Sequence, residues 1–245
     1  MDELTFHRRM FRPGAIVDVG AHDGAMTLPL AALPGARVLA FEPLPAAFSR
    51  LEAAVRATHG GEVPGHIALH RTALGDRPGR LMLDVPVVGG VAQEQWASVA
   101  KDYPAIRGAD PRVEAIIRTE VDVVTLDSLD LADVTAIKLD AEGAEAEVLR
   151  GAEATLRRCR PVLSVEIEER HRTGSTQVVP AWLEGLDYRG FFSLDGRLRP
   201  IAAFDSAAMQ VASPSPASYE VSDPYVFVFY FVAASRMTEL LPMGE

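Results

Sequence analysis

The sequence predicts an α/β protein with a doubly wound, mostly parallel sheet. Apolar runs of strand length alternate along the chain with segments of helical periodicity, and this order is typical of parallel strands joined by crossover helices. The first apolar run, 15–19, leads directly into a turn that contains Gly20 and Gly24. Two apolar stretches near the end, 191–194 and 225–232, are expected to close the sheet as a strand pair.

The first part of the chain contains three predicted strands and two predicted helices. Pro29 is compatible with a helix only in the first turn, and it is placed there. Phe48, Leu51 and Val55 recur at i, i+3 and i+7, which is the spacing of one helical face. The predicted strands are 15–19, 38–41 and 67–73, and the predicted helices are 25–33 and 45–58.

The pattern changes from Gly79 onwards. Residues 80–85 suit an antiparallel strand, whereas 86–120 contain scattered Pro and Gly and are predicted to be irregular. Gly190 is the predicted stop signal after the last helix. The other predicted elements are strands at 121–126, 136–140, 161–167, 191–194 and 225–232, a helix from the 136–140 strand to about 158, and a helix at 178–187.

The composition narrows the class of protein. The chain has 245 residues and a formal net charge of −10, which disfavours nucleic acid as the main partner, since phosphate binding requires clustered Lys and Arg. Its single cysteine, Cys159, excludes an intrachain disulfide. The N-terminal residues lack the apolar core of a signal peptide, and no apolar run reaches the roughly 18 residues that span a bilayer. We therefore expect a cytoplasmic protein without a membrane span.

The loop after the first strand predicts a nucleoside cofactor, because backbone with few side chains allows close approach of the ligand. Glu42, after the second strand, can accept hydrogen bonds from both ribose hydroxyls of either a nicotinamide dinucleotide or S-adenosylmethionine. From Asp18 the spacing is D-x-G-x-H-x-G, close to the D-x-G-x-G-x-G of class I methyltransferases, with His22 replacing the middle glycine. Histidine tolerates left-handed backbone. Asp23 would repel a pyrophosphate, so S-adenosylmethionine is favoured and the dinucleotide remains the alternative.

A second run, I-K-L-D-A-E-G-A-E at 137–145, carries a family resemblance. Together with 17–24, Phe41-Glu42-Pro43, 73–76 and 125–129, it resembles the FkbM family of methyltransferases over roughly residues 15–170. The resemblance implies a class I methyltransferase (Rossmann-like) fold, with a doubly wound, mostly parallel seven-stranded sheet and a C-terminal antiparallel strand. It also implies S-adenosylmethionine-dependent methylation of a hydroxyl.

The resemblance assigns cofactor contacts position by position. The glycine loop is expected to hold the amino-acid end, Glu42 the ribose, and Asp76, at the end of the third strand, the adenine. Ser98 resembles a family serine near the cofactor. The expected cofactor-binding residues are Asp18, Gly20, Ala21, His22, Gly24, Glu42, Pro43, Asp76, Ser98 and Asp140.

Four residues after central strands are candidates for the general base, because a hydroxyl is a poor nucleophile until its proton is removed. They are Asp140, Glu142, Glu166 and His171. Each also has a purely structural interpretation: Asp140 as a helix N-cap, Glu142 as a partner of the helix dipole, Glu166 as a buried carboxyl, and His171 as an exposed side chain. No compact motif indicates a metal site, and we predict none.

The predicted function is S-adenosylmethionine-dependent O-methylation of a sugar or of a glycosylated or polyketide-type natural product. The alternatives are an NAD-dependent oxidoreductase and a non-catalytic cofactor-binding module. We expect one methyltransferase domain over 1–245, with 1–14 as an N-terminal extension and 86–120 as an insertion on the substrate side. The expected partner is a small-molecule or glycan acceptor; the oligomeric state stays open, with a homodimer as one option.

Overall fold

A computed structural model describes residues 1–98, 111–211 and 225–240. The helices are α1 (Glu3–Met10), α2 (Thr27–Ala31), α3 (Pro45–Thr58), α4 (Glu145–Arg150), α5 (Glu153–Cys159), α6 (Ser175–Gly185) and α7 (Met237–Leu240). The strands are β1 (Gly14–Val19), β2 (Ala36–Phe41), β3 (Ile67–His70), β4 (Ala73–Leu74), β5 (Gly79–Val88), β6 (Val91–Ala92), β7 (Val113–Val124), β8 (Val134–Leu139), β9 (Val162–Glu166), β10 (Tyr188–Leu194), β11 (Arg197–Pro200) and β12 (Val228–Ala233).

Eight of these strands form the main sheet, in the order β11-β10-β12-β9-β8-β1-β2-β3. Neighbours from β9 to β3 are parallel, whereas β12 is antiparallel to both β9 and β10. The predicted class I methyltransferase fold with a C-terminal antiparallel strand is confirmed. The main sheet has one strand more than the predicted seven. The additional strand is β11, an edge strand that pairs with β10. The order in which the chain adds strands reverses between β1 and β8, which is the kind of switch point where such sheets bind ligands.

The centre of the sheet is buried on both faces. Every residue of β1 is buried, which explains why its sequence shows no alternation of apolar and polar residues and has Asp18 as its one charged side chain. Helix α3 has the predicted bounds and buries Ala47, Leu51 and Val55. Helix α2 keeps Pro29 in its first turn, as expected. Among the described residues, no helix combines the length and apolarity needed to cross a bilayer.

A second sheet, in the order β4-β7-β5-β6, corrects the prediction for 86–120. Strands β5 and β7 form a long antiparallel pair that extends through much of this segment. The predicted strand 121–126 covers only the end of β7; the part from Val113 to Glu120 was missed because one face of it is charged, with Glu120 paired to Arg80 and Arg118 paired to Asp84. The middle of the predicted insertion, 99–110, lies outside the described residues.

Three other predictions fail at particular residues. The third strand ends at His70, and Ala73 pairs with β7 in the second sheet and not with β2. The helix expected to reach 158 is interrupted at Gly151, where a Cβ would lie 1.9 Å from the carbonyl oxygen of Gly75. Gly190 does not end a helix but lies within β10, where a Cβ would lie 2.9 Å from Phe231. In each case close packing of distant chain segments determines the boundary.

The N-terminal extension forms α1, which packs beside β9, α2 and α7. Phe6 and Met10 are almost fully buried, and the Phe6 ring contacts the Tyr230 ring at a centroid distance of 4.6 Å. The His7 Nε2 atom forms a 2.7 Å hydrogen bond with the Ser164 hydroxyl of β9. Helix α1 is therefore fixed to the central sheet at the middle of β9.

Candidate active site

A cavity of about 370 Å³ lies at the carboxyl edge of the main sheet. Residues that follow β1, β2, β8 and β9 line it, and the second sheet supplies one wall. The lining includes the predicted residues Gly20, Ala21, His22, Glu42, Pro43, Asp140, Glu142 and Glu166. The sequence patterns thus identified residues from four separate segments that the fold brings to one site.

The glycine loop has the backbone that its sequence predicts. Gly20, His22 and Gly24 all have positive φ angles, of 72°, 49° and 89°. A Cβ on Gly20 would lie 2.0 Å from the carbonyl oxygen of Asp140, so only glycine allows this approach of β1 to the end of β8. The prediction that His22 replaces a glycine in left-handed backbone is confirmed. Gly24 does not line the cavity; it turns the chain towards α2.

The carboxylate of Glu42 is held at the cavity wall by backbone groups. Its two oxygens accept hydrogen bonds from the His22 amide at 3.0 Å and from the Leu44 amide at 2.9 Å. The residue is 5% exposed, and burial raises its carboxyl pKa. Each oxygen retains a further lone pair for a ligand hydroxyl.

Asp18 lies beneath the cavity rather than in its lining. It is fully buried, and one carboxylate oxygen accepts a 2.6 Å hydrogen bond from the Thr27 hydroxyl. Its other oxygen lies 3.8 Å from the ammonium nitrogen of Lys138. The structure thus replaces the expected direct contact with an indirect role, in which Asp18 joins the loop to α2.

Lys138 is a site residue that the sequence interpretation did not assign. Its side chain is buried between β1 and β8, and its ammonium donates to the carbonyl oxygens of Val19 at 3.2 Å and Gly20 at 2.9 Å. It also lies 3.7 Å from a carboxylate oxygen of Asp140. Neighbouring carboxylates, led by that of Asp140, raise its pKa despite burial. Its place beside Asp140 in the 137–145 run was the available signal.

Three carboxylates form a compact group at the β8 and β9 end of the cavity. One oxygen from each of Asp140, Glu142 and Glu166 lies within 4.8 Å of the others. Burial, followed by the charges of Asp140, Glu168 and Glu142, raises the Glu166 pKa well above its usual value. Glu166 is therefore the member of the group best suited to hold a proton. Oxygens at this spacing could also surround a divalent cation, although the sequence predicts no metal.

His171 contacts one member of the three-carboxylate group, Glu142, but it does so from outside the cavity. The sequence interpretation treated it as a candidate base or an exposed side chain; it is only 5% exposed and does not line the cavity. Its Nε2 atom lies 3.2 Å from carboxylate oxygens of Glu142 and of Glu168. Glu168 is itself paired with Arg170 at 2.6 Å. His171 therefore contacts a lining residue and not the cavity, which corrects its role from base to support.

Two expected cofactor residues lie elsewhere. Asp76 is exposed and does not line the cavity, because the chain leaves the main sheet at His70 and passes beside Gly151. The Ser98 side chain is buried and does not line the cavity, and its hydroxyl donates a hydrogen bond to the carbonyl oxygen of Glu142. Asp76 is therefore not positioned for adenine, and Ser98 supports the loop that carries Glu142.

Two further groups of lining residues were not predicted. An apolar wall follows β2 and the second sheet: Phe41, Leu44, Leu74, Leu81, Leu83 and Ala97. At the other end, Glu3 of α1 reaches the cavity beside Lys138 and Asp140. A nucleoside with a charged extension has this division of apolar and polar surface.

Solved structures with this fold include two that span nearly all of the chain. A methyltransferase FkbM from Methylobacillus flagellatus KT has a TM-score of 0.56 and 17% sequence identity; the match covers 94% of this chain and 50% of that one, so this chain spans half of its length. A candidate rRNA methylase from Clostridium thermocellum has a TM-score of 0.50 and 10% identity, with coverage of 94% and 93%. These likenesses show the fold alone. A comparison with curated proteins gives no match.

The sequence itself determines the family. Residues 18–190 match the methyltransferase FkbM domain, a range that contains the glycine loop, Glu42 and the 137–145 run. The cofactor of these enzymes is S-adenosylmethionine, which decides against the nicotinamide alternative. With more than half of its length matched, this chain belongs to the FkbM methyltransferase family.

Proposed function

We propose that this protein is an S-adenosylmethionine-dependent O-methyltransferase that acts on a hydroxyl of a sugar or of a glycosylated or polyketide-type natural product. The observation that carries the proposal is the position of Asp140, Glu142 and Glu166. These three carboxylates line the same cavity as the glycine loop and Glu42. A proton acceptor thus lies at the cofactor cavity, as methylation of a neutral hydroxyl requires.

The cavity fits the cofactor in three respects. Phe41 and Leu44, which flank Glu42 in the sequence and belong to the apolar wall, suit a flat base. The fixed carboxylate of Glu42 offers a lone pair on each oxygen to the two ribose hydroxyls. The three-carboxylate group supplies negative charge, which favours a sulfonium. When bound, S-adenosylmethionine supplies an electrophilic methyl group.

The residues of the chain perform the proton transfer. Glu166 has a raised pKa, which is closer to the pKa of a hydroxyl than that of an ordinary carboxyl is. Its carboxylate is therefore a stronger base for the proton of the acceptor hydroxyl. Asp140 and Glu142 can accept hydrogen bonds from the same acceptor and orient it. Much of the rate acceleration in such a site comes from this positioning and from exclusion of loose water.

The second sheet is the proposed substrate wall. Leu81 and Leu83 of β5 and Ala97 line the cavity, while the strands of this sheet are separate from those that carry Glu42 and Asp140. Variable segments over a rigid sheet commonly determine specificity. A chain charge of −10 and the carboxylates at the cavity favour a small-molecule or glycan acceptor over a nucleic acid, whose phosphates they would repel.

A labelled-methyl assay tests the function. Purified protein, isotopically labelled S-adenosylmethionine and a panel of sugars, glycosides and polyketide alcohols are combined, and products are identified by mass spectrometry. We expect label on oxygen and a mass increase of one methylene, both lost in Glu166→Gln. Cofactor binding without a product from any acceptor would favour the non-catalytic module. Label on nitrogen or on nucleic acid would contradict the proposed substrate class.

A further inference from the structure

Helix α1 contributes to the cofactor cavity although it lies outside the family match. The matched residues begin at position 18, whereas Glu3, the first residue of α1, lines the cavity together with Gly20, Lys138 and Asp140. The matched segment therefore does not include this carboxylate, and its contribution has to be derived from its surroundings.

The position of Glu3 is fixed by the packing of its helix. Asp2 caps α1 by accepting a 2.8 Å hydrogen bond from the Thr5 amide. One turn further on, Phe6 is fully buried and His7 bonds to Ser164 of β9. The Ser164 hydroxyl also lowers the pKa of the Glu3 carboxyl. The packing of α1 thus holds Glu3 beside β9.

The electrostatic surroundings of Glu3 combine one cation with other anions. Burial raises its pKa, the ammonium of Lys138 lowers it, and the carboxylates of Asp18 and Asp140 raise it again. Lys138 is already engaged by the carbonyl oxygens of Val19 and Gly20. An additional cation at this end of the cavity would therefore be stabilised by Glu3.

The sheet order determines which part of the cofactor meets this end. Glu42 follows β2, and the apolar wall adjoins it, whereas Glu3 and Lys138 lie at the end of the cavity formed by β8 and β9. If Glu42 holds the ribose, the base lies against the apolar wall. The amino-acid end, which bears an ammonium and a carboxylate, then extends towards β8 and α1.

We propose that Glu3 binds the α-ammonium of the amino-acid end of S-adenosylmethionine, so that α1 completes the cofactor site. The inference rests on the cofactor of the proposed function. It assigns a binding role to the N-terminal helix and predicts that the helix contributes to affinity for the amino-acid end but not for the nucleoside end.

Calorimetric titration of the full chain with two ligands isolates this contact. S-adenosylhomocysteine carries the amino-acid end, whereas 5′-methylthioadenosine has the nucleoside and sulfur without it. Glu3→Gln keeps the size and hydrogen-bonding reach of the side chain but removes its charge. We expect it to weaken S-adenosylhomocysteine binding by about tenfold, as loss of a charge-assisted hydrogen bond does, and to leave 5′-methylthioadenosine binding unchanged. Glu3→Lys should weaken the former further.

The second ligand also reports whether each variant is folded. Glu52→Gln, which alters an exposed carboxylate paired with Arg56 on α3, is the matched control and should leave both affinities unchanged. Unchanged S-adenosylhomocysteine affinity in Glu3→Gln, or an equal loss for both ligands, overturns the inference while the proposed function stands. Absence of S-adenosylhomocysteine binding to the wild-type chain overturns the cofactor assignment and the inference with it.

Discussion

The ammonium of Lys138 donates a hydrogen bond to the carbonyl oxygen of Gly20 at a distance of 2.9 Å. This bond joins the end of β8 to the glycine loop after β1. The same ammonium lies 3.7 Å from Asp140 and 3.8 Å from Asp18. One buried cation therefore fixes the loop that borders the cofactor cavity and compensates the negative charge of two site carboxylates.

Replacement of Lys138 by methionine should destabilise the protein and weaken cofactor binding together. Removal of one partner of a buried charge group leaves the others uncompensated, at a cost of about 3 kcal/mol or more in the free energy of unfolding. Chemical denaturation and titration with S-adenosylhomocysteine measure the two effects. Arg80→Met, which removes exposed ion pairs to Glu120 and Asp122, is the control and should cost less than about 1 kcal/mol. Equal effects of the two substitutions would contradict this role of Lys138.

His171→Ala should lower kcat without changing affinity for S-adenosylhomocysteine. His171 does not line the cavity but lies 3.2 Å from Glu142, so its loss releases Glu142 and disturbs acceptor positioning. A loss of about tenfold to a hundredfold is typical of such misplacement. Because the histidine acts through Glu142, adding His171→Ala to Glu142→Gln should change kcat little further. Independent, multiplicative losses in the double variant would show that His171 acts separately.

Glu166→Gln should remove the proton acceptor and lower kcat by about a hundredfold or more. The pKa of Glu166 is raised by burial and by neighbouring carboxylates, and the deprotonated form is the active one. Wild-type kcat should therefore rise with pH through this raised pKa, and the variant should lose that rise. Glu184→Gln, an exposed site on α6, should retain it. If the rise of kcat with pH persists in Glu166→Gln, the general base is another residue.

Glu145 should make the stability of the protein depend on pH. This residue, in the first turn of α4, accepts hydrogen bonds from the Ala141 and Gly143 amides at 3.2 and 2.9 Å. Burial raises its pKa to about 7 from a usual value of 4.5. A raised carboxyl pKa means that the folded state disfavours the charged form of Glu145. The resulting loss in the free energy of unfolding is absent below the unfolded-state pKa and grows as pH rises towards the folded-state pKa.

Glu145→Gln keeps the accepting oxygen and removes this loss. Its stability relative to wild type should therefore increase between about pH 5 and about pH 8, by as much as about 3 kcal/mol. Urea denaturation of both proteins at the two pH values measures the difference. A stability difference that does not change with pH would show that the Glu145 carboxyl titrates normally.

Metal removal should leave activity intact. The three-carboxylate group has an oxygen spacing compatible with a cation, but Lys138 already supplies positive charge beside Asp140, and Glu166 can be neutral because its pKa is raised. Turnover before and after dialysis against a strong chelator measures any metal requirement. A loss of turnover that added Mg²⁺ restores would assign a metal to the group and contradict the prediction.

Elements whose burial follows their local sequence pattern were predictable from the sequence. Strand β1 is buried throughout, and α3 repeats apolar residues along one face, so local pattern and tertiary environment agree. The first part of strand β7, residues 113–120, was missed because Glu114, Arg118 and Glu120 make one face resemble a loop. Strand β11 (Arg197–Pro200), a short edge strand rich in Arg, has no apolar pattern to detect.

Site residues were predictable where a motif lies at a strand end. Glu42 and Asp140 line the cavity as expected, because β2 and β8 end there. Asp76 was misplaced because the departure of the chain at His70 depends on pairing with β7, which is distant in sequence. Glu3 was missed because its contact depends on how α1 packs. The spacing of Phe6 and Met10, one helical turn apart after the cap at Asp2, was the available signal for that helix.

A crystal structure of the chain with S-adenosylhomocysteine would reveal directly whether the cavity is the cofactor site. We expect electron density in the cavity at the carboxyl edge of the main sheet, with the ribose hydroxyls within hydrogen-bond distance of Glu42 and the sulfur facing Asp140, Glu142 and Glu166. Density for the ligand at another surface, or a cavity that remains empty at saturating ligand, would contradict it.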